Sequence, residues 1–334
     1  VVGNLKAIES IMVTQGKLPL NVIVFFEGEE ESGSVNMKPF IQKYKDMLKA
    51  DILILSDGPM EEDQPMIFTS VRGIVDGEVV ITGPGRDLHS GSYGGAVHNP
   101  IHYAAKIIAD MHDDEGRILI PGFYDDVNPI SENEMQAMNM QKEYLENRLK
   151  NDAGIKEFWG VKEFSVLERV TAQPTCDING VYGGYQGEGG KTVIPAKAGF
   201  KFSMRLVADQ EPDDILAKTR AFFESYQAET VTLDIQMYKG GNAPAQLVAE
   251  GPAMDALQAA YKECWGKEAL LYRQGGSVPI MAVFKEELGI PILVMSHGVG
   301  TNGHSPNEYF VEKYYYKGIE TAIHAMFSWA EMKV

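Results

Sequence analysis

The amino-acid sequence predicts an α/β protein in which a mostly parallel sheet flanked by helices carries an inserted α+β domain. Apolar residues dominate the runs at 20–26 and 52–55, as in strands buried on both faces of a parallel sheet. A helical pattern at 36–48 separates the two runs. Farther along, apolar and polar residues alternate at 200–206, which is typical of a half-buried strand and indicates a second domain.

The length and the net charge of the chain exclude several classes of protein. A chain of 334 residues fits about two globular domains. The formal charge of −17 repels phosphate backbones, so nucleic acid is not an expected partner. No apolar run reaches the roughly 18 residues of a membrane span. The two cysteines lack CxxC spacing, which predicts a reducing compartment and therefore a cytoplasmic location.

The sequence begins inside a helical pattern. Val1, Leu5, Ile8 and Met12 would share one apolar face, and Gly16 would end the helix. Because this start lies within a helix, we expect the chain to be a fragment of a longer protein, so a signal peptide upstream is not excluded.

Acidic residues follow both apolar runs. We expect 20–26 and 52–55 to be parallel strands of one β-α-β unit, with their carboxyl ends at the same edge of the sheet. The run Glu29-Glu30-Glu31 follows the first strand, and Asp57 follows the second. The triplet alone fits a solvated acidic loop, but two acidic strand ends together favour a site for a cation such as Zn²⁺ or Mn²⁺.

The inserted domain is predicted at 74–241, between the two parts of the first domain at 1–73 and 242–334. Its predicted elements, in order, are a strand at 77–82, a loop at 83–95, a helix at 99–111, a polar helix-prone insertion at 131–150, a strand at 200–206, a helix opening at 211–214 and a strand at 231–237. Set in order as β-α-(insertion)-β-β-α-β, the pattern resembles the ferredoxin-like arrangement. The first domain then resumes with predicted helices at 252–265, from 278 and at 309–332, and a strand at 290–295.

Two histidines lie in loops and are candidates for metal binding or catalysis. His304 follows the strand at 290–295, so it is either a surface residue or a ligand at a third strand end. His89 lies in the glycine-rich segment 87–95 of the inserted domain. That segment is either a long turn or a loop that brings a hydrogen-bond donor to a developing oxyanion.

Several motifs in one order resemble the two-metal peptidase family that includes carnosine dipeptidase, cytosolic non-specific dipeptidase, aminoacylase, acetylornithine deacetylase and glutamate carboxypeptidase. The motifs are EGEEESGS at 27–34, SDG at 56–58, DLHSGSYGG at 87–95, KTVIPAK at 191–197, FSMRLV at 202–207, GGSVPI at 275–280 and GHSPNE at 303–308. The likeness covers nearly all of the chain and is greatest to the dipeptidase branch. It implies a zinc-peptidase-like domain with an inserted lid that also forms a homodimer.

The resemblance implies a two-metal site and a general base. Glu30 would take a proton from a metal-bridging water, Glu31 and His304 would bind one metal, and Asp57 would bind the other. The metals would be two zinc or manganese ions.

The resemblance also implies residues that bind the substrate. His89 and Thr192 would reach across a dimer into the partner's site, where His89 would polarise the scissile carbonyl. Arg205 would bind the substrate carboxylate with its planar guanidinium. Gly276 and Ser277 would line the pocket.

Two departures from the family pattern affect the expected activity. The early His-x-Asp motif and the metal-bridging Asp are not in the sequence, and 238–242 lacks the substrate-binding histidine of many dipeptidases. We therefore expect that a longer parent hydrolyses dipeptides or short C-terminal peptides and that this chain alone is inactive. The alternatives are an N-acyl-amino-acid amidohydrolase of the same fold and a non-catalytic dimerising fragment.

Overall fold

The computed structural model describes residues 1–32, 34–58, 60–238, 241–276, 278–301 and 305–332. The helices in these ranges are α1 (Val2–Gln15), α2 (Met37–Tyr44), α3 (Ser90–Tyr93), α4 (Pro100–Asp110), α5 (Glu132–Ala153), α6 (Val166–Thr171), α7 (Pro212–Glu224), α8 (Pro252–Trp265), α9 (Pro279–Leu288) and α10 (Glu312–Ala330). The strands are β1 (Leu53–Leu55), β2 (Met66–Val71), β3 (Gly73–Thr82), β4 (Leu88–His89), β5 (Thr175–Gly183), β6 (Val193–Ile194), β7 (Lys197–Leu206), β8 (Thr232–Met237), β9 (Ala245–Gln246), β10 (Leu270–Gln274), β11 (Ile292–Val294), β12 (Gly300–Thr301) and β13 (Tyr309–Phe310).

The first hydrophobic core is built by both ends of the chain. β1 pairs with β11 and β10 pairs with β2, both in parallel, and β9 adds an antiparallel pair to β2. Helices α1, α8 and α10 pack together in the same cluster of buried side chains. Ile67 and Leu293, in β2 and β11, are fully buried there, as is Tyr261 of α8.

The second core is that of an antiparallel sheet in the order β5-β7-β3-β8. With α4 and α7, these strands follow the predicted ferredoxin-like order along the chain and in space. Alternate residues of β3 are buried, which is typical of a sheet with one covered face. Phe223 of α7 lies against the rings of Phe200 and Phe202 in β7, so this helix covers the apolar face.

The chain passes between the two cores at a narrow hinge. Arg72 is the single residue between β2 of the first core and β3 of the second. The returning chain lies alongside, where the amides of Ile74 and Asn242 each donate to the other's carbonyl, at 2.9 and 2.8 Å. A Cβ at Gly73 would lie 2.4 Å from the Asn242 carbonyl oxygen. The close crossing of the outgoing and returning chains therefore requires glycine at this position.

Helix α5 connects the inserted region to the first core. Its first turn forms a capping box between Ser131 and Glu134, as expected for a polar helix with a strong start. The Glu134 carboxylate accepts two hydrogen bonds from the Arg273 guanidinium of β10, at 2.7 and 3.0 Å. Tyr144 and Arg148 farther along α5 both donate to the carboxylate of Glu61. The predicted insertion is thus a long helix that is bound to the first domain at two places.

The predicted strand at 20–26 is wrong. Residues 21–27 form no strand in the structure, so the expected β-α-β unit is absent and β1 pairs with β11 instead. Ile23, Val24 and Phe26 are about half exposed, at 50%, 47% and 57%. The apolar run has no ladder partner among the described residues, and a ladder is what would have made it a strand.

The predicted apolar face of the first helix is wrong in part, because only Ile8 of its four residues packs against the core. Helix α1 forms and ends at Gly16 in the left-handed conformation, as expected. However, its buried residues are Gly3, Ala7 and Ile11, whereas Leu5 and Met12 are exposed. A Cβ at Gly3 would lie 3.0 Å from the His297 ring, so the close approach of α1 to this ring favours glycine at residue 3.

Further sequence expectations are confirmed at the level of elements. Helices α2, α4, α7, α8, α9 and α10 and strands β1, β3, β7, β8 and β11 occur where the patterns predicted them. Strands β2 and β10 were not predicted. Cys176 and Cys264 are both free thiols. None of the described helices has the length and apolarity needed to span a membrane.

Candidate active site

The acidic segment after residue 26 is a tight turn. Glu30–Ser32 form one turn of 3₁₀ helix, closed by the amides of Ser32 and Ser34, which donate to the Glu29 carbonyl. The Glu29 carboxylate accepts from the side chain and the amide of Asn36, at 2.7 and 3.3 Å. Asn36 is the N-cap of α2, so Glu29 serves local structure. Glu30 is exposed and remains the candidate general base.

Glu27 lies at the start of this turn and is half-buried. Its Oε1 atom is buried and has no hydrogen-bond partner among the described residues. A buried carboxylate oxygen is costly without a partner, so the environment of the turn is suited to a cation or a donor. Sequence reasoning did not single out Glu27; its only signal was its place in the acidic motif.

Asp57 lies two residues beyond the end of β1 and is exposed. Its Oδ1 accepts from the Gly58 amide at 2.8 Å, which orients the carboxylate in the turn. The loop after β11 lies beside this turn, because Ser296 Oγ donates to the Asp57 carbonyl at 3.4 Å and Ser56 Oγ donates to the Met295 carbonyl at 3.1 Å. The segment that leads toward residue 304 thus leaves the sheet next to Asp57.

The predicted gathering of metal ligands stays a prediction. His304, Ser277 and the side chain of Glu31 lie outside the described part of the structure. Within the described part, no group of three His, Cys, Asp or Glu side chains is placed to hold a metal ion. The donor set itself, two carboxylates and an imidazole, matches the ligands that zinc and manganese accept in proteins. The residues therefore fit such a group by their chemistry.

His89 and Thr192 come together in the structure. Strands β4 and β6 pair antiparallel, with His89 opposite Val193, and the Ser90 amide donates to the Thr192 carbonyl at 3.1 Å. The Thr192 hydroxyl lies 3.3 Å from His89 Nε2. Both side chains are exposed, so another molecule can reach them.

The hydrogen bonds of His89 define its tautomer. The Gly91 amide donates to Nδ1 at 3.0 Å, so Nδ1 is an acceptor and the proton of the neutral ring is on Nε2. Thr192 Oγ1 then accepts from Nε2. A Cβ at Gly91 would lie 2.8 Å from His89 Cε1, so glycine leaves the room that the ring occupies. The geometry presents an N–H donor of the kind that stabilises an oxyanion.

Arg205 and Gly276 each interact with a third residue, Arg72. Arg205 is half-buried in β7, opposite Ile74 of β3. Burial, and to a smaller extent the positive charge of Arg205, lowers the pKa of Arg72 to about 10. The Arg72 amide donates to the Gly276 carbonyl at 3.0 Å. Sequence reasoning missed Arg72, although the change of pattern at residues 72–73 was visible.

The comparisons with known proteins agree with this fold. A model of the peptidase dimerisation domain matches residues 69–231. The chain is 32% identical to a Cys-Gly metallodipeptidase of Candida albicans over 96% of its own length and 67% of that protein. It belongs to the M20 family of metallopeptidases.

Other M20 proteins show the same relation. The crystal structure of an M20 family metallo-carboxypeptidase from Sulfolobus solfataricus superposes with a TM-score of 0.81 and 30% identity, covering 99% of this chain and 76% of that one. Human Beta-Ala-His dipeptidase is 26% identical over 92% of this chain. The α/β fold with an inserted dimerisation domain and the likeness to the dipeptidase branch are thus confirmed. This chain spans 67% of the length of the Candida albicans protein and 62% of the length of the human protein, about two thirds in each case.

Proposed function

We propose that this M20 protein hydrolyses the peptide bond of dipeptides or short C-terminal peptides with the help of divalent metal ions. The observation that carries the proposal is its relation to dipeptidases along nearly the whole of this chain. The exposed Nε2 donor of His89 beside Thr192 supports it, because peptide hydrolysis needs a donor at the oxygen that becomes negative.

In the proposed mechanism, different residues of this chain bind the metal ions, accept a proton and donate a hydrogen bond to the substrate. Bound zinc or manganese would supply Lewis-acid polarisation and lower the pKa of water. Glu31, Asp57 and His304 would hold the ions, and Glu30 would take the proton of the attacking water. His89 would donate from Nε2 to the carbonyl oxygen, which would replace the Thr192 hydroxyl as the acceptor.

The inserted domain and the loop after β10 would bind the substrate. Arg205 would bind the terminal carboxylate, since a guanidinium offers two parallel donors to it. Gly276 and Ser277 would line the pocket. We further propose that residues 74–241 form a lid through which the protein forms a homodimer, as the match to a dimerisation domain supports. His89 and Thr192 would then act in the partner's site.

A panel of substrates tests the reaction class. If the reading frame extends upstream, the longer form of the protein, with added Zn²⁺ or Mn²⁺, is assayed against Xaa-amino acid dipeptides and N-acyl amino acids. Dipeptide hydrolysis is the expected result, and exclusive release of acyl groups would instead support the amidohydrolase alternative. Glu30→Gln should lower kcat by about 10²–10⁴-fold because the base is lost. Glu62→Gln, which alters an exposed carboxylate, is the matched control.

We also propose that the 334-residue chain alone binds metal weakly and is inactive, as its predicted ligands number only three. If the reading frame extends upstream, the longer protein is assayed beside the chain for metal content and hydrolysis. Full activity of the chain alone would contradict the ligand assignment. Absence of hydrolysis in both forms would favour a non-catalytic dimerising protein.

A further inference from the structure

We infer that Arg72 is a positioning residue that holds the Gly275–Gly276 loop against the hinge of the inserted domain. The contacts of Arg72 carry this inference, and its consequence for substrate binding rests on the proposed function. Arg72 itself is not expected to touch the reacting atoms.

Arg72 contacts the loop with both its backbone and its side chain. Its amide donates to the Gly276 carbonyl at 3.0 Å, and its Nε donates to the Gly275 carbonyl at 2.7 Å. The second distance is in the short range of charge-assisted hydrogen bonds. The parallel pairing of β10 and β2 ends with Gln274 opposite Val71, so these two bonds continue the pairing directly into the loop.

A third contact links the same side chain to the inserted region. Arg72 Nη1 donates to the Gln173 carbonyl at 3.4 Å, just beyond the end of α6. On the other side of the loop, a Cβ at Gly275 would lie 2.5 Å from the Val170 carbonyl oxygen. The loop therefore lies between the end of α6 and Arg72 with no room for a side chain at residue 275.

The position of Arg72 in the fold connects the loop to the lid. Arg72 lies between β2 and β3, where the chain passes from the first core to the second. Its planar guanidinium can hold two carbonyl groups at fixed angles, which a lysine ammonium cannot do. A change in the angle between the two cores would thus alter the bonds that orient Gly276. Because the loop is predicted to line the pocket, Arg72 should govern how well substrate binds.

Arg72→Lys tests the inference, since it keeps the positive charge and removes the planar guanidinium that holds the two carbonyl groups. Amide exchange of the segment 270–276, measured by mass spectrometry, should become about tenfold faster, while exchange in β7 stays unchanged. In the form that hydrolyses dipeptides, KM should rise about tenfold and kcat should change less than threefold. Arg220→Lys, on the exposed surface of α7, is the matched control and should change neither readout.

A second variant keeps the inference testable if Arg72→Lys does not fold. Gly275→Ala displaces the same loop from the α6 side and leaves Arg72 intact, so it should also raise KM and speed exchange. Unchanged exchange at 270–276 in a folded variant would overturn the positioning role. A lower melting temperature with unchanged KM would show that Arg72 only stabilises the fold, and would overturn the link to binding. If no form hydrolyses dipeptides, the proposed function fails, whereas the exchange measurement still decides the positioning role.

Discussion

At the scale of single residues, the tautomer of His89 depends on its neighbour two positions along. The Gly91 amide occupies Nδ1, and this leaves Nε2 as the donor. The same glycine leaves space for the ring, since a Cβ there would approach Cε1 to 2.8 Å and Nδ1 to 3.1 Å. A single position thus affects both the tautomer and the orientation of the imidazole.

Gly91→Ala is expected to move the His89 ring and weaken the bond to Nδ1. In ¹⁵N-histidine NMR spectra near pH 8, wild-type His89 should show the Nε2–H form, and the variant should show a mixture of tautomers. If His89 donates to the substrate carbonyl, kcat should fall about tenfold or more. Gly85→Ala is the control, because a Cβ there has no atom within 4 Å. An Nδ1–H tautomer in the wild-type protein would contradict the assignment.

Residue roles in the acidic turn could be predicted from the sequence only in part. The motif marked the turn, but it did not show that Glu29 is engaged by Asn36 while Glu27 has a buried oxygen. Such differences depend on how the turn packs against α2, which three adjacent glutamates do not encode. Arg72 was missed for the same reason, since its partners lie about 100 and 200 residues away in sequence.

At the scale of elements, helix α5 is held to the first core by an ion pair that is largely buried. The side chains of Arg273 and Glu134 are only 11% and 17% exposed. Burial alone would raise the pKa of Glu134, but hydrogen bonds from Arg273 and from the Ser131 amide more than offset this, so the pKa is lowered. The ionised carboxylate is therefore favoured in the folded protein.

The lowered pKa of Glu134 predicts a pH-dependent stability. A carboxyl group with a depressed folded pKa stabilises the fold at pH values above its unfolded pKa, near 4.5, and this contribution is lost as pH falls through the folded pKa. At pH 7, Glu134→Gln should lower the free energy of unfolding by about 1–3 kcal/mol, because Arg273 loses its charged partner. The difference from wild type should shrink as pH falls below about 4.5.

Urea denaturation at several pH values measures this difference. Glu143→Gln, on the exposed side of the same helix, serves as the control and should leave the unfolding free energy nearly unchanged. A wild-type advantage that stays constant between pH 7 and pH 3 would rule out the titration of Glu134 as its source.

Element prediction succeeded where periodicity and capping agreed. The Pro100 start of α4 and the alternation in β7 were visible in the sequence and are present in the structure. The run at 20–26 misled because an apolar segment becomes a buried strand only with a partner, and the sequence pattern does not show whether a partner is present. Strand β2, buried at every position, was missed since it contains Thr69 and Ser70, two polar residues that weaken an apolar pattern.

At the scale of the whole molecule, the fold class followed from the order of elements, but the assembly of the site did not. The α/β fold with an inserted domain could be predicted because each pattern is local. The proposed site combines residues from both ends of the chain with His89 and Thr192 from the inserted region. Their relative positions depend on the hinge at Arg72 and, under the proposed exchange of His89, on a second copy of the chain, and no local pattern contains either.

The proposed exchange of His89 between subunits leads to a complementation experiment. His89→Ala would remove the carbonyl donor from one subunit, and Glu30→Ala would remove the base from the other. If His89 acts in the partner's site, a mixed dimer contains one site that lacks both groups and one that is intact. Mixed dimers, formed by refolding or co-expressing two differently tagged chains, should therefore recover up to about half of the wild-type activity per dimer, while each variant alone stays at background.

The alternative arrangement gives a different outcome from the same mixture. If His89 served the site of its own subunit, every site in the mixed dimer would lack one essential group, and mixing would restore no activity. Size-exclusion chromatography with light scattering establishes that dimers form in each preparation. A double variant, His89→Ala with Glu30→Ala, paired with wild type supplies the calibration, because under exchange it leaves both sites defective, whereas under independent sites it leaves one intact. If His89 acts in the partner's site, the mixture of the two single variants is the more active one. If each site is independent, the mixture of the double variant with wild type is the more active one, so the comparison needs no absolute rate.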